Sequence, residues 1–169
     1  MDLSAVRPAS FWWLLIITSL MVASVAAGLV YTLRGYIPAH WQVPVRALLF
    51  NVRIDDRVWI TMPDGVRLAG TLYRPRGASG PLATVFIRLP YDRTRYGEAL
   101  GDAVFLARHG YAVLVQDVRG KFESEGEGFV PWRHPTGDGV ATLEWITQQS
   151  WSNGKVGTIG CSALGELQY

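Results

Sequence analysis

The chain has 169 residues, 49% of them hydrophobic, a formal net charge of +2 and a single cysteine, Cys161. That length holds one ordinary domain. So mild a charge, without any Lys/Arg run, gives no electrostatic footprint for nucleic acid, and a lone cysteine excludes an internal disulfide or a cysteine-based metal cluster.

Residues 1–10 form a short tail. Residues 11–33 read FWWLLIITSLMVASVAAGLVYTL without one charge, and about 20 apolar residues suffice to cross the hydrocarbon layer as a helix. Trp12, Trp13 and Tyr31 stand near the ends of the run, and Arg7 and Arg34 bracket it, as interfacial flanks do. The expectation is a single-pass membrane anchor with the domain that follows it exported. A cleaved signal peptide competes, because Ser24-Val25-Ala26 offers a small-x-small processing site. The apolar run continues through Leu29, Val30 and Leu33, beyond the ~7–15 residues of an ordinary signal core, which favours retention. A buried core helix is the third reading. Arg7 on one side faces Arg34 and Arg46 on the other, so the charges leave membrane orientation undecided.

Residues 34–56 carry Pro38 and Pro44, show no clear period and read as a linker with apolar anchors at Leu48, Leu49 and Phe50. The domain proper is placed at 57–169. It opens with β-rich runs at 57–62 and 67–73 on either side of Pro63-Asp64-Gly65, a turn cluster that joins antiparallel strands. Residues 82–88, LATVFIR, are apolar and β-branched enough for a buried strand. Residues 98–108 place Leu100, Val104 and Leu106 or Ala107 at helical spacing, and His109-Gly110 supplies a stop. A second buried strand follows at 112–116. After a Gly-rich loop, Asp138 is suited to cap a helix bearing Val140, Leu143 and Ile146, and a third buried strand is expected at 155–160. Strands alternating with helices in this way specify an α/β fold with a mostly parallel sheet, opened by one antiparallel hairpin.

The third parallel strand runs directly into Gly160-Cys161-Ser162-Ala163-Leu164-Gly165. A nucleophile on a sharp strand-to-helix turn needs tiny neighbours, and the helix N-terminus beyond it favours a developing oxyanion. Gly160 and Gly165 meet that need around Ser162, although the general signature G-x-S-x-G has its second glycine where this chain has Leu164. Cys161 is the rival nucleophile, but centring the turn on it would put Ile159 where a glycine is required, so it reads as a small neighbour. One oxyanion donor would be the backbone N–H of Ala163, and the other should come from the loop after the first parallel strand. That loop contains Tyr91, whose hydroxyl is a candidate donor; a tyrosine packed over the sheet edge is the plainer reading. His40, His109 and His134 read as surface or capping residues. Asp117 and Arg119 read as an ion pair fixing the Gly120 loop rather than a substrate contact, and Glu123 and Glu125 as a solvated loop face.

Four motifs in order, MPDGVRLAGTLYRP, IRLPYDR, ARHGYAVLVQDVRGKFESEGEGFVP and DGVATLEWITQQSWSNGKVGTIGCSALG, resemble the X-Pro dipeptidyl peptidase and cocaine esterase family of serine hydrolases. The likeness spans about residues 57–169 and implies an α/β-hydrolase fold. It makes Ser162 the acylated nucleophile, Tyr91 the hydroxyl donor to the oxyanion and Ala163 the N–H donor. G-x-S-x-x-G is that family's own pattern, so Leu164 ceases to be a departure; Ala163 stands where a tyrosine is common. The resemblance implies cleavage of an ester or amide bond, X-Pro peptides included, through an acyl-enzyme, with no cofactor or metal. It places the acid and histidine of the triad beyond Tyr169, so these residues alone are expected to be inactive. The reading of another class is a membrane-anchored, non-catalytic interaction module derived from a hydrolase. Substrate identity and oligomeric state stay open.

Overall fold

The computed structural model describes residues 9–33, 38–127 and 136–168, in two units, 1–37 and 38–169. The first is a single helix, α1 (Ala9–Leu33). At 1.5 Å per residue its 25 residues extend about 37 Å, enough for the hydrocarbon layer. Two of its hydroxyls are turned inward: Thr18 Oγ1 donates to Leu14 O and Ser24 Oγ to Leu20 O, each at 2.8 Å. Back-bonding of this kind removes donors from an otherwise apolar surface. By length and composition the helix suits a membrane anchor or a signal sequence alike.

In the second unit, the segment read as a linker holds more structure than expected. Helix α2 (Ala39–Leu49) buries Val43 and Ala47 one turn apart, despite Pro44 inside it, and strand β1 (Val52–Thr61) follows with Val52 fully buried. Residues 34–37 lie outside the described residues. The hairpin is present: β1 pairs antiparallel with β2 (Arg67–Pro75). Its turn puts Gly65 at φ +86, a region open to glycine at little cost, and Asp64 Oδ1 accepts the Val66 N–H at 3.2 Å.

Then come β3 (Leu82–Leu89), α3 (Gly97–Arg108), β4 (Ala112–Asp117), α4 (Thr136–Thr147), β5 (Ser152–Thr158) and the short α5 (Ser162–Glu166). The sheet order is β1-β2-β4-β3-β5, with β3, β4 and β5 mutually parallel and β2 antiparallel to β4. Alternation along the central strands divides the core. Val113 and Val115 of β4 and Ile87 of β3 pack with α2 and α3, whereas Ala112, Leu114 and Phe86 pack with Ile146 of α4. Helices on both faces explain why these strands read as continuous apolar runs.

Two expectations need correction. Strand β5 begins at Ser152 and is not buried: Asn153, Gly154, Lys155, Gly157 and Thr158 are exposed, because among the described residues it pairs only with β3. Asp138 lies inside the first turn of α4 rather than at its cap, and its carboxylate accepts from Arg119 Nε at 2.9 Å and Nη2 at 2.6 Å. A carboxylate there still complements the positive end of the helix.

Candidate active site

Parallel strands end on the same rim of a sheet, where α/β proteins gather their ligand sites. The Tyr91 loop leaves β3 on that rim, Asp117 closes β4, and Ser162 follows β5, the hydrogen-bonded neighbour of β3. The shared rim brings the loop and the serine turn onto one edge.

The turn is sharp for a definable reason. Cys161 is extended at φ −112, ψ 163, and Ser162 then adopts φ +51, a left-handed conformation that costs an L-residue roughly 1–2 kcal/mol. The chain doubles back so tightly that a Cβ on Gly160 would stand 2.6 Å from the carbonyl carbon of Leu164, and one on Gly165 would stand 3.0 Å from Gly160 O. The two glycines thus face each other across the bend, which accounts for the spacing G-x-S-x-x-G. Leu164 needs no replacement by glycine, since its side chain turns into the core beside α3. Ser162 itself is exposed. As the second residue of α5, Ala163 has an N–H outside the intrahelical ladder, and no hydrogen bond to it occurs among the described residues.

The loop after β3 is fastened from below. Arg93 N–H donates to Asp117 Oδ1 at 2.9 Å and Arg93 Nη1 to Asp117 Oδ2 at 2.5 Å, with both side chains almost wholly buried. Arg93 Nη2 also donates to Glu123 Oε2 at 2.5 Å. Burial pushes the Asp117 carboxyl above its usual range, opposed by the Arg93 N–H and guanidinium. Asp92 closes the loop on itself, its Oδ1 accepting from Thr94 N–H at 2.9 Å. On this platform Tyr91 is 41% exposed, and its hydroxyl has no hydrogen-bond partner among the described residues. Its ring stacks on Tyr96 at 4.8 Å between centroids.

A chain of contacts joins loop and turn. Tyr96 Oη donates to Glu98 Oε2 at 2.8 Å, and Glu98 Oε1 accepts from Cys161 Sγ at 3.6 Å, one residue before Ser162. That hydrogen bond to Glu98 is the main reason the Tyr96 phenol is raised above its usual pKa. Tyr96, Glu98 and Arg93 were not singled out by sequence reasoning. Only the position of Glu98 in the first turn of a helix hinted at a role.

The remaining candidates separate. His109 closes α3 with Nδ1 2.7 Å from Phe105 O, at the end of the helix away from Glu98. His40 meets Trp41 edge-on in α2, and His134 lies outside the described residues. Among the described residues no histidine hydrogen-bonds Ser162. Asp117 and Arg119 are both ion-paired, though not with each other: Arg119 joins Asp138 to Asp64 at 2.6 and 2.7 Å. Nor is the acidic loop merely solvated. Glu123 holds Arg93 and Arg57, and Glu125 holds Arg67.

These arginines depress the carboxyls of Asp64, Glu123 and Glu125 below their usual pKa values. A depressed folded-state pKa contributes stability above the unfolded value of roughly 4 that is lost as pH falls through the folded one. The contribution of these three carboxyls to the chemical-unfolding midpoint is therefore expected to be constant above about pH 5 and to be lost below about pH 4.5. Glu123→Gln should shrink that fall, and a midpoint unchanged down to pH 3 would contradict the assignment.

The family model for X-Pro dipeptidyl-peptidase (S15 family) matches residues 64–169, which include the Tyr91 loop and the Ser162 turn. The chain belongs to this family. It is 43% identical over 122 residues to the cocaine esterase of Rhodococcus sp. (strain MB1 Bresler), covering 70% of this chain and 21% of the esterase. Among solved structures it resembles a CocE/NonD family hydrolase from Staphylococcus aureus, with TM-score 0.60 and 26% identity over 68% of this chain and 24% of that one. It also resembles an α-amino acid ester hydrolase, with TM-score 0.56 and 36% identity over 68% and 22%. A mixed sheet with hydrolase neighbours fits an α/β-hydrolase-like fold. The chain spans about a fifth of the length of the esterase it matches.

Proposed function

We propose that these residues form the nucleophile-bearing part of a serine hydrolase. It cleaves ester or amide bonds of a small molecule or peptide, X-Pro peptides included, through an acyl-enzyme, and needs no metal or cofactor. Ser162 Oγ attacks the carbonyl, and the Ala163 N–H and Tyr91 hydroxyl receive the oxyanion. Acylation also requires a histidine to take the serine proton, since a hydroxyl without a base is a weak nucleophile; the 169 residues alone are therefore expected to turn over little or no substrate. We assign α1 as the membrane anchor of the enzyme, with the hydrolase part exported.

The observation that carries this reading is Ser162 at φ +51, exposed on a bend that only glycine permits at Gly160. Backbone strain of this kind persists where the surrounding structure over-determines it, and it clusters at active sites. The open valences on the Ala163 N–H and the Tyr91 hydroxyl are the donors such chemistry uses.

The test is to express the full reading frame containing these residues, treat it with a fluorophosphonate and map the adduct by mass spectrometry. Labelling is expected on Ser162. Tyr91→Phe should lower turnover of an ester panel by about 10²–10³, the usual cost of one oxyanion donor, without altering the unfolding midpoint. No adduct on Ser162 in the full-length protein would overturn the reading in favour of a non-catalytic module. Unchanged turnover in Tyr91→Phe would remove Tyr91 from the site.

A further inference from the structure

Beneath the serine turn lies a buried cation whose place in the fold is unusual. Arg88, on β3, is 4% exposed, and its Nε and Nη2 have no hydrogen-bond partner among the described residues. An uncompensated buried charge is costly unless the structure draws something from it. Burial lowers its pKa below the usual arginine value, against the attraction of Asp138.

What the guanidinium does touch is specific. Nη1 donates to Leu167 O at 3.0 Å, the carbonyl just past the end of α5. Gln168 closes a second tie, its Nε2 lying 2.7 Å from Leu164 O and 3.5 Å from Arg88 O. Room for the guanidinium comes from α4: a Cβ on Gly139 would stand 2.7 Å from Arg88 Nη1. Three residues along the chain from Arg88 is Tyr91. The groups proposed to act on the carbonyl therefore hang from one residue, Tyr91 through the backbone, and Ser162 and Ala163 through the helix that the side chain holds.

We propose that Arg88 is a positioning residue that clamps the C-terminal end of α5 to β3 and so sets Ser162 against the Tyr91 loop, with Gly139 as the slot that admits it. The inference rests on the hydrolase reading above. Lysine cannot replace arginine here, because a compact ammonium lacks the planar fork that reaches past Gly139 to the carbonyl while filling the slot.

Gly139→Ala provides the test that leaves the arginine in place. Glycine to alanine inside a helix ordinarily adds stability; here the new methyl must push aside the far end of a flexible side chain. In the full-length protein, Gly139→Ala is expected to keep or raise the unfolding midpoint while lowering kcat about tenfold with KM unchanged, and to slow fluorophosphonate acylation of Ser162 by a similar factor. Arg88→Lys should show the same split. Arg88→Ala combined with Gly139→Ala should be no slower than Arg88→Ala alone, since both act through one contact. Gly139→Ala acylated at the wild-type rate would overturn the clamp while leaving the hydrolase reading intact. A wild-type protein that is never acylated on Ser162 would instead overturn that reading, and the clamp with it. If Arg88→Ala does not fold, Gly139→Ala and Arg88→Lys still decide.

Discussion

Ser162→Ala in the full-length protein is expected to reduce turnover by about 10⁶-fold, the scale seen when the serine of a triad is removed, with little change in stability. The second half of that expectation follows from φ. Serine and alanine both carry a Cβ, so both bear the cost of the left-handed conformation at φ +51. Glycine does not. At an ordinary helical position glycine is less stable than alanine by about 1 kcal/mol. At residue 162 the order should invert, and Ser162→Gly should unfold at a denaturant concentration equal to or above that of Ser162→Ala, both variants being inactive. An alanine variant more stable than the glycine variant by about 1 kcal/mol would mean that the turn is relaxed. Residual turnover near the wild-type level in either variant would remove Ser162 from the mechanism. The comparison separates two properties that a single substitution confounds, the chemistry of the hydroxyl and the strain of the bend that displays it.

The parts of this architecture that could be read from residues alone are those governed by local pattern. Strands β3 and β4 are apolar because both their faces are covered, and α3 repeats its apolar residues at helical spacing, so each is visible within a short window. The bend at Ser162 is visible because close backbone approach requires glycine at 160, and glycine is conspicuous in sequence. Helix α2 was obscured by Pro44, which argues against a helix locally and is outweighed by burial of Val43 and Ala47. Val156 and Ile159 suggest an interior strand where β5 is in fact exposed, because burial depends on neighbours that local pattern does not report. Hardest to see are the polar ties under the site. Arg93 meets Asp117 and Glu123 across 24 and 30 residues, and Arg88 meets Leu167 across 79. No spacing rule links such pairs, since the sheet brings them together only after the crossovers have formed.

The Arg93 and Asp117 pair carries the other large expected effect. Asp117→Ala leaves a guanidinium that is 1% exposed without its buried carboxylate, keeping among the described residues only Glu123 at the surface and Asp56 O at 3.3 Å. Breaking such a pair from one side costs about 3–5 kcal/mol, a large share of the ~5–15 kcal/mol that ordinarily holds a domain together. Glu123→Gln, at a carboxylate that is 43% exposed, should cost below about 1 kcal/mol. Replacing both buried partners by apolar residues, Arg93→Met with Asp117→Leu, should recover most of the stability lost by Asp117→Ala, because no buried charge then lacks a partner. Activity should not recover with it. Asp117 also accepts the Arg93 N–H at 2.9 Å, and that bond fixes the backbone two residues beyond Tyr91, so the double variant loses the anchor of the loop even when the core is restored. Unfolding midpoints and kcat of the three variants separate the two roles. An Asp117→Ala protein as stable as wild type would refute the buried pair, and a double variant with full kcat would show that the Tyr91 loop holds its geometry without it.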